Sequence, residues 1–279
     1  MRKYSQYPLS AAQVVTVLAD RAKKGFNHVN FTGGEPTLLP GFVKVLTAAK
    51  KLGYRTYVGT NGTLFAGEAF AKAALPLIDE LSFSIHWFDA DSCTKQTGRR
   101  THFDVFALAA ANVARYRAPN NSFFCNVVLD RYNFREALKI VTFVRNSAFP
   151  VGQFLLSVVA PEGAADAAFD ELSFDLEDLR PLIPAIVDYC GREGLVLRFF
   201  GLPTCVLGEK YADYANDAHW EQRHTIERFT NNKGNVALVD IHSVDNSRKR
   251  IFVEKCKDCR WKSHPCTGVF ERYLEYYKF

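Results

Sequence analysis

The sequence predicts an α/β fold: a partial (β/α)6 TIM-like barrel, followed by a small C-terminal β-hairpin and cysteine-rich unit. Three observations predict it. Short β-branched and aromatic runs alternate with segments of helical periodicity from Ser10 to Phe200. Several of those runs end in polar, glycine-bearing tips, the first being His28-Val-Asn-Phe-Thr-Gly-Gly-Glu-Pro36. Beyond the last of them, three of the seven cysteines crowd together as Cys256, Cys259 and Cys266.

Size and composition set the frame. With 279 residues and 48% hydrophobic content, the chain suffices for one barrel-sized domain and an appendage, which excludes a disordered protein. It has no apolar run long enough to span a bilayer, and no basic-then-apolar leader, so a cytoplasmic protein with no membrane partner is expected. In a reducing compartment an odd number of cysteines points to metal ligation before disulfides. The net charge of +5 comes from mixed charges, and Arg248-Lys249-Arg250 reads as a solvated hairpin tip. Nucleic acid is therefore a possible but not a favoured partner.

The elements follow in order. Val14, Val15, Leu18 and Ala22 give a helix over Ser10–Lys24, with Ser10 as N-cap and Gly25 as the stop. A strand over His28–Thr32 follows, then a helix over Gly41–Lys51 with Phe42, Val43, Leu46 and Ala49 on one face. Arg55-Thr-Tyr-Val-Gly-Thr60 is the second strand, so the unit is a parallel crossover. A helix over Gly67–Leu75 leads to the strand Glu80–His86. A helix over Phe103–Arg115 leads to Ser122–Leu129, in which Cys125 packs as a small hydrophobe. Asn133 is expected to cap a helix burying Ala137, Ile140, Val141 and Val144. Gly152–Ala160 is the next strand, Asp175–Tyr189 a helix with Pro181 and Pro184 early in it and Pro184 as a candidate kink, and Leu195–Phe200 the last strand of the barrel. Residues 1–200 thus form the core and 201–279 the appendage.

A strand that stops in Gly-Gly lets backbone groups approach a ligand without Cβ interference, and Pro36 ends the ladder. Phe31-Thr-Gly-Gly-Glu-Pro-Thr37, followed by Thr60-Asn-Gly-Thr63, resembles the radical S-adenosylmethionine (radical SAM) superfamily. The resemblance implies that Gly33, Gly34, Glu35 and Pro36 hold the amino group of SAM's methionine portion. An ammonium group does want carbonyls and a carboxylate around it. Asn61, together with Ser84 and His86 in Ser84-Ile-His-Trp-Phe-Asp89, is similar to the family's positions near the methionine carboxylate and ribose. Ser157 and Val159 fall where the family contacts adenine. No catalytic residue is assigned.

In the appendage, Asn235–Asp240 and Arg250–Glu254 read as a hairpin too small to stand without a staple. Cys205, Cys256, Cys259 and Cys266 offer four soft ligands, which suit a [4Fe-4S] cluster or Zn²⁺ alike. His242 or His264 could replace Cys205. The tail from Cys256 through Cys266-Thr-Gly268 to Tyr273 is similar to SPASM and Twitch auxiliary-cluster segments of radical SAM proteins, which favours iron-sulfur over zinc.

The 279 residues contain no Cys-x3-Cys-x2-Cys loop, the motif with which the family binds its SAM-reducing [4Fe-4S] cluster. The expectation is that the natural protein carries the barrel's first strand and that loop upstream of Met1. The resemblance then implies an oxidoreductase that cleaves SAM reductively and abstracts hydrogen from a peptide or small-molecule substrate, with flavodoxin or ferredoxin as electron donor. The rival expectation is an inactive scaffold whose zinc-stapled unit binds a partner.

Overall fold

Ser10 opens the first helix, α1 (Ala11–Lys23), through a reciprocal capping box with Gln13, and Gly25 at φ +87° turns the chain after it. The structure, a computed structural model, describes residues 10–216, 227–232, 235–240, 249–263 and 265–278. The strand β1 (His28–Phe31), helix α2 (Phe42–Lys51) and strand β2 (Arg55–Thr60) complete the first crossover. Leu18 of α1 packs with Val45, Ala49 and Tyr54, and the Tyr54 hydroxyl donates to the Leu18 carbonyl at 2.8 Å. On α2 it is Val45 that is fully buried, while Val43 is only half-buried.

The chain continues through α3 (Glu68–Ala74), β3 (Glu80–Ser84), α4 (Ala90–Thr97), α5 (Thr101–Tyr116) and β4 (Ser122–Leu129). Then come α6 (Ala137–Asn146), β5 (Gln153–Val158), the single turns α7 (Ala164–Ala167) and α8 (Phe169–Leu172), α9 (Ile183–Arg192) and β6 (Val196–Phe200). Among the described residues the sheet order is β1-β2-β3-β4-β5-β6, the sequential order of a (β/α) barrel, and the first four strands pair in parallel. No helix among these residues is long and apolar enough to cross a membrane.

The fold divides into two compact units. One holds Pro8–Val127 and Lys139–Phe154; the other holds Val128–Leu138 and Leu155–Phe279. The first is centred on Phe83, whose ring stacks on Phe149 at 4.5 Å and lies 5.7 Å from Phe65. Burying one such ring contributes about 2–3 kcal/mol. Asp79 knits the lower end of the same unit: its carboxylate accepts from Lys50 Nζ at 2.8 Å and from the Thr56 N–H at 2.7 Å. These donors hold its carboxyl below the usual carboxylate range against the opposing effect of burial.

Four expectations are corrected. Asn133 stands at the N-cap position of the 3-10 turn (Phe134–Glu136) before α6, but its side chain does not cap it: its Oδ1 accepts from the Asp130 N–H at 2.9 Å and its Nδ2 donates to the Val128 carbonyl at 3.0 Å, closing the end of β4. The expected helix over Asp175–Tyr189 is split into a 3-10 stretch (Leu176–Leu182) and α9, because Pro184 has no N–H to bond back and occupies the first turn of the new helix. The strand β3 ends at Ser84, and Asp89 caps α4, a helix with too few apolar positions to read from periodicity. Finally, Asn235–Asp240 does not pair with Arg250–Glu254. It forms β8, antiparallel to β7 (Glu227–Asn232), and the Asn232↔Asn235 pair leaves Lys233-Gly234 as connection. The segment β9 (Arg250–Ile251) pairs instead with β10 (Val269–Phe270), which brings the chain after Cys266 back onto the chain before Cys256.

Candidate functional site

The carboxyl ends of β1, β2 and β3 form one rim in the first unit. Gly33 is exposed at φ +109°, a conformation that disfavours any side chain, and a Cβ on Gly33 or Gly34 would meet nothing within 4 Å among the described residues. The loop therefore presents bare backbone to open space, which fits the amino acid portion of SAM.

Glu35 sets that loop in place. Its Oε1 accepts from the Thr37 N–H at 3.1 Å, the Thr37 hydroxyl at 2.6 Å and the Thr60 hydroxyl at 2.7 Å, and its Oε2 accepts from the Asn61 N–H at 2.7 Å. Thr60 Oγ1 in turn accepts from the Gly62 N–H at 3.0 Å, and Asn61 Oδ1 from the Thr63 N–H at 2.9 Å. The loops after β1 and β2 are thus tied by one buried-edge carboxylate with four donors. Gly62, at φ +81°, sits where a Cβ would lie 3.0 Å from the Phe83 ring. Of the expected SAM residues, Glu35 and Asn61 are directly bonded. Pro36 opens the turn that Glu35 caps, and Ser84 ends the neighbouring strand in register with Asn126. Thr37 and Thr60 belong to this network without having been singled out. Their signal was their place in the two motifs, Thr37 directly after Pro36 and Thr60 directly before Asn61.

His86 is half-buried, and burial pushes its imidazole down to about 4, opposed by a hydrogen bond at Ile85. It is neutral at pH 7. Because the folded value lies below the ordinary 6.5, the unfolded chain takes up a proton first as pH falls, so stability declines from about pH 6.5 toward pH 4. His86→Gln is expected to flatten that decline by about 1–2 kcal/mol at pH 5, read from urea unfolding at pH 7 and pH 5.

In the second unit, Ser157 is buried within β5, and Val159 follows its end. Both Val159 backbone groups are engaged: the N–H donates to the Leu129 carbonyl at 2.9 Å, and the carbonyl accepts from the Tyr273 hydroxyl at 3.0 Å. One carbonyl lone pair is left for any ligand.

The same unit holds the cysteine appendage. Cys205, Cys256, Cys259 and Cys266 line a single cavity with Pro203, Phe252 and Lys262 among its walls. The Gly268 N–H donates to Cys266 Sγ at 3.5 Å. Burial pushes the Cys205 thiol up, with Lys255 pulling it down. As placed, no three His, Cys, Asp or Glu side chains among the described residues are gathered within reach of one metal ion. The donor set still fits a thiophilic centre: four soft ligands, apolar walls and an amide aimed at one sulfur. His242 and His264 lie outside the described residues. Cys93, Cys125 and Cys190 are buried elsewhere, and burial pushes the Cys190 thiol up to about 11, as befits an inert packing residue.

Thr204, beside Cys205, is fully buried and its Oγ1 has no partner among the described residues. Thr204→Val is expected to raise the stability of the metal-free protein by about 1 kcal/mol, visible as a higher melting temperature after chelation.

The chain is 29% identical over 212 residues to a probable GTP 3′,8-cyclase of Saccharolobus solfataricus, covering 75% of this chain and 67% of that protein. It is 36% identical over 119 residues to an S-adenosylmethionine-dependent nucleotide dehydratase of Pseudoalteromonas ulvae, 40% of this chain and 37% of the relative. Among solved structures, Streptococcus suis SuiB bound to S-adenosylmethionine matches with a TM-score of 0.54 at 19% identity, over 69% of this chain and 44% of SuiB. That likeness speaks for the fold alone. The model of the radical SAM superfamily matches residues 2–144, just over half of the chain and the stretch that contains the Gly-Gly-Glu-Pro loop, and the chain belongs to that superfamily.

Proposed function

We propose that this chain is the SAM-binding body of an enzyme that cleaves SAM reductively and acts on a nucleotide. The observation that carries the reading is the Glu35 carboxylate, which ties two rim loops together so that the bare backbone at Gly33 and Gly34 faces outward. Bound at this rim and reduced by an external electron donor, SAM would supply radical chemistry for hydrogen-atom abstraction from the substrate. Gly33, Gly34 and Pro36 hold the methionine amino group with Glu35 as their brace. Asn61, Ser84 and neutral His86, in the same unit, serve its carboxylate and ribose. The 279 residues contain no Cys-x3-Cys-x2-Cys loop, so the SAM-reducing cluster is assigned to ligands outside this sequence.

The nucleotide class is favoured over a peptide because the two relatives above, matched by sequence at 29% and 36% identity, are both named for nucleotide chemistry. Lys262 among the cavity walls, with Lys255 close enough to act on Cys205, suits an anionic substrate. The cysteines are assigned to an auxiliary [4Fe-4S] cluster, and an electron-transfer protein to the reduction. Calorimetric titration tests the reading: SAM should bind the wild-type chain, and GTP should bind better than an unrelated peptide. Iron and sulfide after anaerobic purification support the cluster. Zinc with neither, and no SAM binding, would leave the scaffold reading in its place.

A further inference from the structure

The segment from Cys266 to Tyr273 is held at every second or third residue. Cys266 is 8% exposed and its sulfur accepts the Gly268 N–H. Gly268, at φ +89°, lies so close to β9 that a Cβ would be 2.4 Å from the Ile251 carbonyl oxygen. Val269 and Phe270 pair with Ile251 and Arg250, and the Arg250 guanidinium stacks 4.4 Å above the Phe270 ring. The other edge of Phe270 abuts Gly201, where a Cβ would come within 3.0 Å of the ring. Tyr273 is fully buried, with Phe169 edge-on at 5.0 Å, and its hydroxyl ends on the Val159 carbonyl. A strap with a cysteine ligand at one end and a buried phenol at the other has no slack to absorb a change at either.

We propose that Tyr273 is a positioning residue that transmits the state of the cysteine centre to the tip of β5. This rests on the reading of the four cysteines as a metal site. Drawing the thiols onto one metal centre adds a bond at Cys266, stiffens the strap and holds the Tyr273 hydroxyl on Val159. Loss of the metal frees the Cys266 end, and the brace on the Val159 carbonyl is held less firmly. The tip of β5 would then be better ordered when the cysteine centre is filled, which links the two ends of the strap through the chain's own residues.

Hydrogen exchange read by mass spectrometry tests this on the full chain, zinc-loaded against chelator-treated. Zinc is expected to slow exchange in residues 256–268 of both the wild type and Tyr273→Phe. In residues 157–162 it should slow exchange at least threefold in the wild type and leave Tyr273→Phe unchanged. Equal slowing at the β5 tip in both proteins would overturn the role of Tyr273. Slowing at 256–268 with none at 157–162 in the wild type would overturn the strap, and this comparison needs no variant to fold. Absence of slowing at 256–268 would overturn the metal site and, with it, the coupling.

Discussion

Glu35→Gln is expected to weaken SAM binding by about 10- to 100-fold while leaving the chain folded. The substitution is nearly isosteric, and one amide oxygen can still accept from Thr37 and Thr60. The other position becomes an NH₂ facing the Asn61 N–H, which now sits 2.7 Å from a carboxylate oxygen. Two donors then oppose each other where a charge-assisted bond stood, a loss of about 1.5–3 kcal/mol. That bond joins residues 26 apart in sequence, so its loss lets the loop after β1 move against the loop after β2. Little of the core depends on it: Phe83, Phe65 and Phe149 hold the unit together from below. The expected signature is a large change in dissociation constant by calorimetry with a melting temperature within a few degrees of wild type. Thr60→Val removes a neutral donor to the same carboxylate and the acceptor of the Gly62 N–H, but leaves the charge-assisted bond to the Asn61 N–H, and should cost less, about fivefold. If Glu35→Gln bound SAM as tightly as the wild type, the carboxylate would have no part in shaping the site.

Much of this architecture could be read from the sequence because its signals are local. The strand Ser122–Leu129 alternates strictly between half-buried and buried positions, and its ends were legible to the residue. Ser10 and Gly25 bracket α1 by chemistry that acts over three or four residues. The Gly-Gly-Glu-Pro and Thr-Asn-Gly tips were legible as strand tips on one rim, but not the bond between them, since no local pattern says where a carboxylate 26 residues away will point. Asn133 shows the limit within a single loop. An asparagine before a helix is as good a cap as it is a clasp on the preceding strand, and only the folded end of β4 decides between them. The strand Asn235–Asp240 had two possible partners, and pairing over the two-residue connection through Lys233-Gly234 prevailed. Val159 was legible as a strand end but not as an occupied one, because its brace comes from Tyr273, 114 residues on.

Gly268→Ala is expected to damage the cysteine site more than any removal of a single cysteine-neighbouring side chain, because the backbone there has no room to move. Two penalties add. The residue holds φ +89°, which costs an alanine roughly 1–2 kcal/mol. Its Cβ would also stand 2.4 Å from the Ile251 carbonyl oxygen and 2.9 Å from the carbonyl carbon, and backbone atoms cannot swing aside as a side chain can. Relief requires β10 to part from β9, breaking the Val269↔Ile251 and Phe270↔Arg250 pairs. The same displacement withdraws the Gly268 N–H from Cys266 Sγ. A total of about 3–5 kcal/mol is in the range of a severe core lesion. The alanine variant should therefore lose more than 100-fold in metal affinity, measured by competition with a chromophoric chelator. Its β5 tip should exchange as fast with zinc as without. The first unit, with its own Phe83-centred core, should keep its SAM-rim loops, so Glu35-dependent contacts should survive in the variant. Metal affinity equal to wild type would mean that the thiol site forms without the β9–β10 pair, and Cys266 would then be held by something other than the strap that follows it.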